Sequence, residues 1–119
     1  MNLLFSDDLF WSSKIVETAR ALGQEVLRAR SLDELETLAQ KHAPGCVILD
    51  LCTRQIDAAA TIARVRAVAP GARFRGFGRH TDEEGLARAR AAGCEPVLAR
   101  SALQARLPEY LGEWLGKPV

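Results

Sequence analysis

The residues of this chain that could do chemistry are carboxylates placed at the ends of apolar runs. Asp7 and Asp8 follow Leu3-Leu4-Phe5-Ser6, and Asp50 closes the run Cys46-Val-Ile-Leu-Asp50. Three carboxylates brought to one point repel each other, and desolvation adds to the cost of keeping them ionised. A divalent cation removes the conflict. Mg²⁺ prefers hard oxygen ligands and retains several waters, so two or three carboxylates are enough to hold it. A carboxylate beside such a cation can also accept a phosphoryl group, because the metal neutralises charge on the entering phosphate. Spacing alone leaves a second reading open, in which these are solvated loop acids that cap the helices after them.

A second string of interest is Gly76-Phe-Gly78-Arg79-His80-Thr81-Asp82. Two glycines ahead of a helix start, with Arg79 and His80 adding positive charge, could cradle an anion. It is not a dinucleotide fingerprint, since a third glycine is missing and it follows the fourth apolar run rather than the first. The plainer reading is a tight turn with glycines at backbone limits and a solvated His80. His80 near Asp50 is a candidate for acid–base work, because imidazoles change charge near neutral pH. His42 reads as a surface residue. No nucleophile–base pair and no second metal cluster is evident, so the chain is not expected to be an enzyme.

These residues need a scaffold, and the pattern supplies one. Leu3–Phe5, Glu25–Ala29, Cys46–Leu51, Arg73–Phe77 and Pro96–Ala99 read as strands. Between them lie amphipathic stretches. Phe10, Trp11, Ile15, Ala19 and Leu22 recur at helical spacing before Gly23, and Leu32, Leu35, Leu38 and Ala39 do the same. The spacing predicts further helices over 56–69 and from Thr81 to Ala92, with Gly93 past the end. A last helix carries Leu103, Leu107, Tyr110, Leu111, Trp114 and Leu115, and Pro108 should break or kink it near residue 106. Ser31–Glu34, Thr81–Glu84 and Ser101–Gln104 have the form of capping boxes. Five strands alternating with five helices imply an α/β fold, a parallel sheet with helices on both faces. In such a sheet a site lies beyond the carboxyl ends of the strands. There stand Asp7, Asp8, Asp50, Gly78-Arg79-His80 and Arg100-Ser101.

Composition bounds the rest. The chain has 119 residues, with 16 basic and 15 acidic side chains, and reads as a single domain over 1–119. No apolar run is long enough to span a bilayer. The N-terminus has no basic region of a secretory leader, so a cytoplasmic protein is expected. Cys46, Cys52 and Cys94 fit reduced thiols. Residues 1–53 carry 5 bases and 8 acids, and 54–119 carry 11 bases and 7 acids. The basic half could form a partner surface or a solvated face. No nucleic-acid-binding signature accompanies it, and neither nucleic acid nor membrane is expected as a partner.

At this point the sequence resembles the response-regulator receiver (CheY-like) domains, from Leu3 to about Leu115. Phe5-Ser-Asp7-Asp8 resembles the acidic pair after that family's first strand. Val47-Ile-Leu-Asp50 resembles its phosphoacceptor strand, Asp57 the Asp of its Met-Pro-x-x-Asp-Gly loop, and Ala91-Ala92-Gly93 the end of its fourth helix. The resemblance implies a flavodoxin-like sheet of order 2-1-3-4-5. It implies Asp50 as phosphoacceptor, and Mg²⁺ held by Asp7, Asp8, Asp50 and the backbone carbonyl of Cys52. It also implies a sensor kinase or downstream effector as partner, with dimerisation through the face of the fourth helix, fifth strand and fifth helix.

Two switch positions depart from the family. Gly78 stands where receivers carry a Thr or Ser whose hydroxyl reports phosphorylation. Arg100 stands where they carry a Lys, and a planar guanidinium does not replace a compact ammonium without rearrangement. The loop after Asp50, Cys52-Thr-Arg-Gln-Ile-Asp57, lacks the Met-Pro and the Gly. Trp11 is bulky for its place near the acidic pair. Three readings follow: an atypical receiver phosphorylated at Asp50, a pseudo-receiver acting as an interaction or scaffold domain, and a small-anion binder using the Gly76–Thr81 loop.

Overall fold

The computed structural model describes residues 1–116. Five strands, β1 (Asn2–Phe5), β2 (Val26–Ala29), β3 (Cys46–Asp50), β4 (Arg73–Gly78) and β5 (Cys94–Ala99), form one parallel sheet in the order β2-β1-β3-β4-β5. Six helices connect and follow them: α1 (Leu9–Ala21), α2 (Leu32–His42), α3 (Ala58–Val68), α4 (Glu83–Ala91), α5 (Arg100–Ala105) and α6 (Leu107–Trp114). The expected order and the helices on both faces are therefore present. The final helix is divided in two: Arg106 adopts φ −136°, and Pro108 sits in the first turn of α6, where its missing N–H costs nothing.

Side-chain alternation in the strands divides the core into two layers. Leu3, Phe5, Val47, Leu49 and Phe74 pack toward Leu35, Ile62, Val65 and Leu86 of α2, α3 and α4. Leu4, Cys46, Ile48 and Phe77 pack toward Trp11, Ile15, Leu103, Leu107, Leu111 and Trp114 of α1, α5 and α6. All five residues of β3 are buried, which is why its sequence reads as an unbroken apolar run rather than an alternating one. Trp114 belongs to this core, and only Tyr110 of the last apolar stripe lies half-buried on α6.

The capping expectations hold once and fail twice. Ser31 Oγ accepts the Glu34 amide at 3.1 Å, and the Glu34 carboxylate answers by accepting the amide of Arg30 at 3.2 Å. For α4 the cap is Asp82, not Thr81: its Oδ1 accepts the Gly85 amide at 3.0 Å. A carboxylate one position later outcompetes the hydroxyl as acceptor. Ser101 caps nothing, because α5 starts one residue before it, with Ala99 at the cap position. Among the described residues no helix is long and apolar enough to cross a membrane.

Candidate functional site

The carboxyl ends of β1 and β3 meet at Asp50. The paired register ends with Phe5 opposite Leu49, so the residue beside Asp50 is Ser6, one position before the acidic pair. The Ser6 hydroxyl donates to Asp50 Oδ2 at 2.7 Å, and the Cys52 amide donates to Oδ1 at 3.0 Å. Both residues of the Ser6–Asp50 pair are 0% exposed. Burial pushes the Asp50 carboxyl above the usual aspartate value, against the pull of Ser6, of the Cys52 amide and of the Arg100 charge. Ser6 is a site residue that the sequence reading missed; only the strand register distinguishes it from its acidic neighbours.

Asp7 and Asp8 take partners of their own beside this pair. Asp8 is the N-cap of α1: Oδ1 accepts the Trp11 amide at 2.9 Å, and Oδ2 accepts a 2.6 Å ion-paired hydrogen bond from Arg100 Nη2. The Trp11 amide first, and Arg100 with it, hold the Asp8 carboxyl below its ordinary value against a smaller desolvation. Asp7 is exposed and accepts the Arg54 amide at 3.0 Å. Asp8 is close enough for its charge to raise Asp50 further, and Asp7 reaches the loop after Asp50 through Arg54. Among the described residues no three His, Cys, Asp or Glu side chains converge as metal ligands. Arg100 supplies Asp8 with a counter-charge. Asp57 caps α3 by accepting the Ala60 amide at 3.0 Å.

Arg100 is held from two sides. Besides its bond to Asp8, its guanidinium carbon lies 5.6 Å from the centre of the Trp11 ring, within reach of a cation–π attraction. Trp11 is buried edge-on against Phe77 at 5.9 Å. The bulk that looks out of place in the sequence therefore forms the floor on which Arg100 rests. Its neighbours Leu9 and Phe10 point outward, 66% and 77% exposed.

Gly78 closes β4 rather than occupying a turn. A Cβ there would lie 3.1 Å from Leu86 Cδ2 and 3.2 Å from the Leu51 Cβ, and one on Gly76 would lie 2.8 Å from Cys94 Sγ. Both glycines permit close packing; neither has the positive φ of a turn glycine. Leu51 and Leu86 therefore crowd any side chain placed at Gly78. Beyond Gly78, Arg79, His80 and Thr81 face Arg100, Ser101 and Gln104 across a cleft of about 290 Å³. Cys46 and Cys94 are buried far from this edge, and burial pushes their thiols up to about 11 and about 12, which keeps them protonated and unreactive.

No family model matches the sequence, and no curated protein is significantly similar to it. Solved structures are similar in fold. A response regulator from Thermotoga maritima superposes with a TM-score of 0.78 at 15% identity, covering 96% of each chain. A response regulator from Burkholderia pseudomallei, solved with a phosphorylated aspartic acid, a calcium ion and citrate, gives 0.74 at 20% identity over 94% of this chain and 68% of that one. The beryllofluoride-activated NtrC4 receiver domain dimer gives 0.75 at 15% identity, over 95% of this chain and 97% of that one. The fold is that of the response-regulator receiver domains, over nearly the whole chain.

Proposed function

We propose that this chain is a receiver-type signalling module that works by binding a protein partner, independently of phosphorylation at Asp50. One observation carries the reading. The carboxylate in the acceptor position is fully buried, and each of its oxygens already accepts a hydrogen bond, from Ser6 and from Cys52. Each oxygen keeps a second lone pair, but a phosphoacceptor needs an oxygen that phosphorus can reach in line with the leaving group, and a cation beside it to neutralise the charge; burial works against that approach. Here the cation whose charge acts on Asp50 is Arg100, which spends one of its nitrogens, Nη2, on Asp8. Gly78 offers no hydroxyl to report a phosphoryl group, and a Cβ there would press on Leu51 and Leu86.

On this reading the module acts without catalysis and belongs in the cytoplasm with other signalling proteins. Its partner is a kinase or an effector. The face of α4, β5 and the α5–α6 pair is the first surface to test, including for self-association, as in the NtrC4 dimer. The decisive experiment is intact mass spectrometry after incubation with acetyl phosphate and Mg²⁺. The expected result is no phosphoryl adduct. An adduct abolished by Asp50→Ala would overturn the proposal in favour of the phosphoacceptor reading.

A further inference from the structure

We infer that the cleft between the β4–α4 turn and α5 is a binding site for a small tetrahedral oxyanion, of the phosphate or phosphomonoester class. It is lined by Arg79, His80, Thr81, Arg100, Ser101 and Gln104. The lining contains no carboxylate: it offers two guanidiniums, an imidazole, two hydroxyls and an amide, all able to donate hydrogen bonds to an oxyanion.

What distinguishes this set is that its donors converge on one cleft with no carboxylate among them. Elsewhere in the basic half, several guanidiniums are in use, though those of Arg54, Arg66 and Arg73 have no hydrogen-bond partner among the described residues. Arg88 pairs with Glu84 and Arg106 with Glu109, while Arg90 donates to the Val97 carbonyl and Arg75 to that of Glu95. Among the described residues neither the Arg79 guanidinium nor the His80 imidazole has a hydrogen-bond partner, and both are exposed at the cleft. Arg100 uses only Nη2 on Asp8, which leaves its Nε and Nη1 without a partner among the described residues.

Arg100 is also ordered in advance, by Asp8 and by the Trp11 ring. A ligand that meets it does not have to immobilise a free side chain, which removes part of the usual cost of binding. Guanidiniums match tetrahedral oxyanions through paired N–H donors. The size of the cleft sets an upper limit on the ligand. At about 290 Å³ it stands at the lower end of small-molecule sites, enough for a phosphoryl group and a short substituent. The site does not involve Asp50 and stands or falls separately from the proposed function.

The test is an amide-resolved NMR titration of the full chain with sodium phosphate, at constant ionic strength against sodium chloride. Saturable shifts should centre on 79–81 and 100–104. Arg79→Gln and Ser101→Asp, both at exposed positions, should keep a native spectrum and weaken phosphate binding by roughly tenfold or more, as expected for loss of one charge-assisted hydrogen bond. Asp50→Ala should bind phosphate as the wild type does. Phenyl phosphate competing with phosphate would assign the cleft to an ester on a larger molecule. Phosphate binding that phenyl phosphate cannot displace would assign it to the free anion. Shifts reproduced by chloride, equal affinity in Ser101→Asp, or loss of binding in Asp50→Ala would each overturn the inference.

Discussion

The carboxyl edge of the sheet has two halves, and they are built in opposite ways. At the ends of β1 and β3 the charged groups are in use: Asp50 is buried under Ser6 and Cys52, Asp8 is held by Trp11 and Arg100, and the exposed Asp7 accepts the Arg54 amide. At the ends of β4 and β5 the charged groups are open, with Arg79 and His80 exposed beside an ordered Arg100. The first half has the residue types of a phosphorylation site, with its central carboxylate buried and hydrogen-bonded. The second half has donors without partners. Chemical capacity is read from what side chains leave unsatisfied, and residue type alone does not give it.

The largest effect expected concerns the floor shared by the two halves. Trp11→Ala should lower stability by about 3–5 kcal/mol, while Phe10→Ala, one residue away and exposed, should stay within about 0.5 kcal/mol. Urea denaturation midpoints measure both. Equal effects would mean that Trp11 does not support Arg100 from the core. Next, Gly78→Thr would restore the receiver hydroxyl at a crowded position. Its Cβ would meet Leu51 and Leu86, and a loss of about 1–3 kcal/mol is expected from overpacking. A neutral result would mean that Leu51 and Leu86 do not crowd the position.

Smaller effects separate the two carboxylates by the sign of their pH dependence. Asp50 is raised by burial, so its ionised form is the disfavoured one in the fold. Its contribution is fully present at acid pH and is lost as pH rises through its folded value. Asp50→Asn should therefore stabilise the protein at neutral pH, by on the order of 1 kcal/mol, and the gain should vanish as pH falls toward the ordinary aspartate value. Asp8 is lowered, chiefly by the Trp11 amide and then by Arg100. Its contribution is present above the ordinary aspartate value and is lost as pH falls through its lowered one. Asp8→Ala should cost about 1 kcal/mol near neutrality as a lost helix cap, and the difference should shrink in acid. Thermal melts of the three proteins across pH check both slopes.

Much of the fold was legible in the sequence because apolar periodicity carries it. The unbroken run Cys46–Asp50 marks a strand covered on both faces, and Pro108 marks the break between α5 and α6. The site was legible only in part. Asp50, Asp8, Gly78 and Arg100 do stand together at the sheet edge. Yet which of Ser6, Asp7 and Asp8 faces Asp50 depends on strand register, and a shift of one residue exchanges an acid for a hydroxyl. The two misplaced caps have a similar cause: helix starts at Asp82 and Ala99 differ by one or two residues from the Thr81 and Ser101 signals. The role of Trp11 depends on Arg100, 89 positions away in sequence, a contact that no local pattern encodes.

The most direct test of the central claim, that Asp50 is closed to phosphorylation, uses the fluorescence of Trp11, which touches both Asp8 and Arg100. Titration with Mg²⁺, and then with Mg²⁺ plus beryllium fluoride, should give no saturable change in the folded protein. A saturable response to the metal, followed by a second to the phosphate mimic and both lost in Asp50→Ala, would contradict the account and show the site to be a working phosphoacceptor.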